Sequence, residues 1–393
     1  MKDIVIVANF ISAFNESSNN RFTYLASLLS QSDSVEIISS NFSHLTKSKR
    51  NEDVNNKPYK VTLISEIGYK KNITPKRFLS HYLWGKKVIS YIKARRKPDI
   101  VYCAIPSLTV AAGLADYCKD NGVKFIIDIQ DLWPEAFKMV FNPPLIGSLL
   151  YYPFTLYSNK AYKNADAICA VSKTYCKRAI SVNYKCNKAQ TVFLGTKLST
   201  FDENAKNNKI KKNKNELLLA YCGTLGASYD ISCVIDALAL VKKSKVVPPK
   251  FIIMGDGPMK TEFEAYAKRK KVQALFTGRL PYDQMCGWLS SCDITVNPIK
   301  NGAAQSIINK HVDYAAAGLP VINTQECKEY RCLVEKYKMG INCRNESAED
   351  IANAIIKLVH DNKMRIAMGK NARKCAVDCF DRENTYLKIL RLF

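Results

Sequence analysis

Acidic side chains are scarce in this sequence. Against 59 Lys and Arg, the 393 residues carry only 35 Asp and Glu, for a formal net charge of +24 at pH 7. An imbalance of that size implies an anionic partner, whether nucleic acid, an anionic bilayer or a phosphorylated substrate. The excess is spread over clusters at 47–50, 93–97, 206–214 and 268–271. None is interleaved with aromatics as a single-strand platform would be, and no zinc-finger, RNA-binding or basic-zipper signature occurs, which argues against nucleic acid. Histidine is rarer still: four residues, His44, His81, His311 and His360, stand far apart. Fourteen cysteines include no C-x-x-C pair, the nearest being Cys327 with Cys332 and Cys375 with Cys379. No structural metal is expected, and the scattered thiols suit burial in a reducing compartment. No Asp-x-Asp clamp is present and no apolar run reaches membrane-spanning length. The opening MKDIVIVANF enters a strand too directly for a signal peptide, so a cytoplasmic protein is expected.

What is present is a repeated β-α alternation, long enough for two cores. DIVIVA (3–8), a polar loop, a helix over 21–30 and VEIISS (35–40) open a doubly wound parallel sheet, where ligands sit beyond strand C-termini. A long basic-ended helix over 76–97, strand 99–104, helix 107–120 and strand 124–129 continue it. Strand 165–172, helix 173–183 and strand 191–194 complete the first half. The stretch 199–216 is Lys- and Asn-rich without periodicity and reads as a linker. The pattern then restarts at 216–238 with a strand, a two-glycine turn (Gly223, Gly226) and a helix. Domains are expected at 1–198 and 216–376, with a linker at 199–215 and a closing helix within 377–393.

The most informative stretch is 297–325, NPIKNGAAQSIINKHVDYAAAGLPVINTQ. It reads as strand, polar loop, helix capped by Ser306, turn and strand. A polar loop ahead of a helix N-terminus is a natural anion site, and Gln305, Ser306, Asn309, Lys310 and Asp313 gather there. A solvated helix face would show the same pattern. A second stretch, DIQDLWPEAF, crowds Asp128, Asp131 and Glu135 at a strand end, a candidate acceptor-hydroxyl site unless Asp131 simply caps a helix. Arg21, at the first helix start, can grip a phosphate or merely face solvent. His44, in a loop after a strand, is more simply a structural hydrogen-bonder than a base. Residues 142–165 mix leucines, tyrosines and trailing lysines, suiting either a bilayer interface or a buried connecting helix broken at Pro153. G-x-G-P turns at Gly255 and Gly257, and Arg279 after a further strand, add to the second half.

The motif S-x-x-N-K-x-x-D-Y-x-A-A-G-L-P-V-I resembles the nucleotide-sugar signature of retaining group 1 (family 4) glycosyltransferases of GT-B fold. N-N-R-F (19–22), D-L-W-P-E (131–135) and G-T-L-G (223–226) resemble further motifs of that family, in order, over nearly the whole length, most closely the capsule and O-antigen transferases. The resemblance implies two Rossmann-like doubly wound domains facing a cleft, with a last helix crossing back to the acceptor-binding first domain. It implies transfer of a sugar from a nucleotide-diphosphate sugar (UDP favoured) to a hydroxyl of a polyprenyl-diphosphate-linked saccharide, with retention and without metal, at the inner-membrane surface. By resemblance, Gly223, Thr224, Gly226, Gly255, Gly257, Arg279, Ser306, Asn309 and Asp313 would hold the donor. Arg21, Asp128 and Glu135 would meet the acceptor, and Asp131, Lys310 and Gln305 would act in the chemistry. The sequence departs from the family in three places. Gln305 replaces an acid, Gln130 replaces a histidine, and Thr224 stands where a phosphate-binding arginine is usual. A sugar-nucleotide 2-epimerase of the same fold and a catalytically inactive partner subunit are the alternatives.

Overall fold

The computed structural model describes residues 1–14, 20–71, 74–140, 147–186, 188–213, 215–303 and 306–393. The chain forms two compact units, Met1–Phe193 with Tyr386–Phe393, and Leu194–Thr385.

The first unit is built on strands β1 (Asp3–Val7), β2 (Ser34–Ser40), β5 (Lys60–Ile64), β6 (Ile100–Ile105), β7 (Lys124–Ile129), β8 (Ala167–Ala170) and β9 (Ala189–Thr191), with a small antiparallel pair, β3 (Phe42–Ser43) and β4 (Ser48–Lys49), beside them. The main sheet is parallel throughout in the order β5-β2-β1-β6-β7-β8-β9. Its central strands are apolar at nearly every position because helices cover both faces. The order reverses between β1 and β6, so the ligand edge of this unit is at the loops that follow them. The helix Arg21–Leu29 begins where the Asn20 side chain accepts from the Phe22 and Thr23 amides. The last eight residues belong to this unit. Tyr386, Ile389 and Leu392 are buried in its core, and Phe393 stacks on Tyr102 with centroids 5.4 Å apart.

The second unit carries β10 (Leu218–Cys222), β11 (Lys250–Met254), β12 (Ala274–Gly278), β13 (Ile294–Asn297), β14 (Val321–Asn323) and β15 (Gly340–Asn342). Its sheet is also parallel, in the order β12-β11-β10-β13-β14-β15, with the reversal between β10 and β13. Leu219, Tyr221, Ile253, Val296 and Ile322 from the strands meet Val234, Leu238, Ile351 and Ile355 from flanking helices in one core.

Several elements differ from expectation. The stretch read as a linker begins with a helix, Leu198–Asn207, within the second unit. Leu198, Phe201 and Ala205 repeat at helical spacing and bury one face, a stripe that the surrounding Lys and Asn obscure. The single closing helix is instead a π-turn, Ala376–Phe380, then two short helices, Arg382–Thr385 and Leu387–Leu390. Strand β9 ends at Thr191, so 192–194 run on as irregular chain. Pro153 lies inside the continuous helix Gly147–Asn164 and does not break it. Residues 142–146 of the apolar stretch lie outside the described residues. No helix among the described residues is long and apolar enough to cross a membrane.

Candidate functional site

In the second unit the switch point lies outside the C-terminal ends of β10 and β13. The loop after β10 interlocks there with the loop after β11. The Gly223 amide donates to the Met254 carbonyl at 3.0 Å and the Leu225 amide to the Asp256 carbonyl at 2.9 Å. A Cβ on Gly255 would fall on the Gly223 carbonyl, and one on Gly257 would stand 2.4 Å from the Leu225 carbonyl oxygen. Glycine at 255 and 257 is thus the condition for two backbones to lie in contact. Gly223 has φ of +140°, which L side chains rarely adopt. Thr224 is exposed at the loop tip, its carbonyl accepting from the Tyr221 hydroxyl at 2.8 Å. The next helix begins only at Ile231, capped by Asp230, so its first amides lie several residues beyond Gly226.

The loop after β13 leads to the helix Asn309–Ala316. Ser306 does not cap it; Ile308 occupies that position, and the Ser306 carbonyl accepts from Gln325 Nε2 at 2.9 Å. The helix start is delayed because His311 fixes the turn before it. Its Nδ1 accepts the Ile308 amide at 3.1 Å and its ring stacks on Tyr330 at 3.6 Å. Nε2 lies 2.8 Å from the buried Asn297 amide group. Asn309 is exposed on the first turn, whereas Lys310 and Asp313 are buried. Gln305 lies outside the described residues.

Lys310 is the unusual side chain. It is 7% exposed, and its ammonium has no hydrogen-bond partner among the described residues. Nζ lies 4.1 Å from the Tyr221 ring centroid and 3.8 Å from that of Tyr229. A Cβ on Gly223 would come within 3.0 Å of it, so the ammonium lies directly against the glycine loop. Two ring faces supply about 0.5–2 kcal/mol each, well short of a lysine's lost hydration. Burial accordingly pushes the Lys310 pKa down to about 7. One turn along, burial pushes the Asp313 carboxyl up to about 7, against the Tyr282 hydroxyl that donates to it at 3.1 Å and the more distant Arg382 cation. Arg279 is exposed on the loop after β12, two strands from the switch point.

In the first unit the structure gives all three acceptor candidates partners within the protein. Arg21 and Asp128 face each other. They form a buried pair, Nε to Oδ2 at 2.7 Å, and Arg21 also donates to the Val192 and Phe193 carbonyls and the Tyr386 hydroxyl. A guanidinium buried to 4% exposure must find acceptors inside, and these occupy it. Glu135 pairs with Arg178 at 2.6 Å rather than standing free. Asn19 of the N-N-R-F motif lies outside the described residues.

Asp131 keeps its place at the ligand edge, after β7. Trp133 Nε1 donates to it at 3.1 Å, and burial raises its pKa despite that bond. Around it sit groups that sequence reasoning did not assemble. His81 stacks on Trp133 at 5.8 Å, and Arg77 lies over the same ring at 4.7 Å. His44 Nδ1 is 2.6 Å from the Tyr69 hydroxyl. Burial and the neighbouring cations push His81 down to about 3 and His44 to about 4, so both rings are neutral. Arg77 and His81 share a face of the helix Pro75–Ala94, but no spacing in the sequence links that pair to residues 44, 69 and 133, which the fold brings together.

Two parallel sheets in Rossmann order, each with its loops at a switch point, define the GT-B class of α/β proteins. Residues 202–375 match the family described as Glycosyl transferases group 1, a match that falls within the second unit. The chain is 22% identical to WcaI of Escherichia coli K12, named for glycosyl transfer in colanic acid biosynthesis, over 76% of this chain and 74% of WcaI. Its fold matches sucrose-phosphate synthase from Thermosynechococcus elongatus (TM-score 0.75, 16% identity, 100% of this chain and 98% of the other). It also matches Anabaena HepE in complex with UDP (TM-score 0.70, 15% identity, 99% and 98%).

Proposed function

We propose that this protein transfers a sugar from a nucleotide-diphosphate sugar, UDP favoured, to a hydroxyl of a lipid-linked saccharide, with retention, in surface polysaccharide biosynthesis. The observation that carries this reading is the unpartnered Lys310 ammonium buried against the Gly223 loop at the switch point. An anion arriving there meets a cation that needs one. HepE binds UDP and UDP-glucose, and WcaI bears a polysaccharide-pathway name; both support the donor and the setting.

In the reaction the bond from the anomeric carbon to the diphosphate breaks as the bond to the acceptor oxygen forms. Negative charge grows on the leaving diphosphate, and Lys310 opposes it directly, with Gly223 and Thr224 backbone beside it. The acceptor proton passes to the leaving phosphate, so no strong protein base is needed. Asp313 takes the ribose hydroxyls and Asp131 orients the acceptor. Cationic side chains perform the charge neutralisation that a metal would otherwise supply.

A thermal-shift panel of UDP, GDP and their sugars tests the reading. UDP or a UDP-sugar raises the melting temperature of the wild type and not of Lys310→Ala; no shift with any nucleotide overturns the proposal. A donor consumed only when acceptor is present separates transfer from 2-epimerisation. Tight nucleotide binding with neither transfer nor hydrolysis indicates the inactive-subunit alternative.

A further inference from the structure

The structure assigns Tyr221 and Tyr229 as positioning residues of the diphosphate site, two rings that hold the Lys310 ammonium against the Gly223 loop; this rests on the function proposed above. A lysine has four rotatable bonds and ordinarily extends to water. Here Nζ is buried, makes no hydrogen bond, and touches the two ring faces at 4.1 and 3.8 Å. The rings are themselves fixed. Tyr221 is fully buried on β10 and its hydroxyl donates to the Thr224 carbonyl at 2.8 Å, tying the lysine's platform to the glycine loop. Tyr229 packs edge-on to Tyr221 at 5.9 Å and is anchored by a bridge to Ile299, from the loop on the other side of the switch point.

Neither ring accepts a hydrogen bond from the ammonium, so all three of its protons stay available to a ligand. Among the described residues, the other titratable groups nearby supply no fixed countercharge. Cys222 on β10 is held as a thiol by burial, His311 on the lysine's own helix is held neutral, and Asp313 sits against Tyr282. A carboxylate partner would have neutralised the charge and competed with the diphosphate. Aromatic faces place the charge without cancelling it.

The test compares Tyr229→Phe, which keeps the ring, with Tyr229→Leu, which keeps apolar bulk without it. With UDP as ligand, the dissociation constant stays within about twofold of wild type in the Phe variant and rises at least tenfold in the Leu variant, while both melt near the wild-type temperature. Wild-type affinity in the Leu variant, or an equal loss in both, overturns the assignment. If the wild type binds neither UDP, GDP nor pyrophosphate, the functional proposal has failed, and the positioning role is read from a 13Cε NMR titration of Lys310. The midpoint then falls by about one pH unit in the Leu variant, where the favourable ring contact is lost and burial kept, and not in the Phe variant. An unchanged midpoint in the Leu variant overturns it.

Discussion

Lys310 occupies the space that a side chain on Gly223 would need: a Cβ there would stand 3.0 Å from Nζ and 3.3 Å from the Tyr221 hydroxyl. Gly223→Ala therefore carries two penalties, a backbone at φ +140° and displacement of the lysine. The first costs about 1–2 kcal/mol of stability; the second acts on binding. We expect UDP affinity to fall at least tenfold by calorimetry, with a drop in melting temperature of a few degrees. Gly226→Ala, where the nearest atom would be 3.8 Å away, tests the contrast and leaves both nearly unchanged.

Stability and binding respond in opposite directions at Lys310. A buried ammonium without a hydrogen-bond partner destabilises the empty protein, and Lys310→Met keeps most of the volume without the charge. The Met variant should match or exceed wild type in urea denaturation and lose UDP binding by about 10- to 100-fold, the scale of a charge-assisted contact. The sign with pH follows. Because the folded pKa is depressed, the folded state binds fewer protons than the unfolded chain between about 7 and the ordinary lysine value. Wild-type stability from this residue therefore rises with pH across that window, and the Met variant lacks the rise.

Donor affinity has two limbs set by residues three apart. Lys310 grips a diphosphate as the ammonium, which is lost as pH rises through about 7. Asp313 accepts ribose hydroxyl bonds best as the carboxylate, which is lost as pH falls through about 7. UDP affinity measured from pH 5 to 9 should pass through a maximum near neutrality. Lys310→Arg, which remains charged, flattens the alkaline limb of whatever affinity it retains, and Asp313→Asn flattens the acid limb. An affinity independent of pH from 6 to 8 argues against both roles.

The fold was legible where the chain is periodic and the site only where it is local. Apolar runs such as 124–129 and 250–254 announce buried parallel strands, and their alternation with helices gives the doubly wound class. The Gly223 and Lys310 motifs were visible as separate stretches, but their contact depends on β10 lying beside β13, a strand order no local pattern encodes. Arg21 and Asp128 show the converse case. Each sits at a strand or helix end that favours ligands, and 107 residues separate the partners that consume them. Ser306 was misplaced because a serine before an apolar run is an ordinary cap signal, whereas His311 bonding the Ile308 amide decides where the helix starts.

The buried Arg21–Asp128 pair gives a stability prediction. Removing one partner leaves a buried charge uncompensated, which costs about 3–5 kcal/mol. Arg21→Leu should lower the unfolding free energy from urea denaturation by that scale, and adding Asp128→Leu should recover part of it, because the double variant buries no lone charge. Additive losses instead place other contacts of Arg21, such as the Val192 and Phe193 carbonyls, above the ion pair in importance.

The helix Gly147–Asn164 leaves Leu149 at 75% exposure, with Tyr152 and Leu156 exposed on the same side at spacings of three and four. Leu79, Tyr82 and Leu83 are likewise exposed on the helix Pro75–Ala94, and Phe78 meets Phe154 at 5.2 Å, so the two apolar stripes are neighbours within the first unit. Lys86, Lys160 and Lys163 are exposed on the same two helices. Apolar side chains flanked by lysines suit the interface of an anionic bilayer, where each basic residue adds about 1 kcal/mol near the surface. The protein should sediment with vesicles containing anionic phospholipid and much less with neutral ones, and rising salt should weaken the association. Leu149→Glu with Leu156→Glu should cut vesicle binding at least tenfold while leaving UDP affinity intact, since neither residue lies in the second unit. Equal binding of wild type and double variant would remove this face from the membrane contact, and the basic residues elsewhere on the chain would have to account for it.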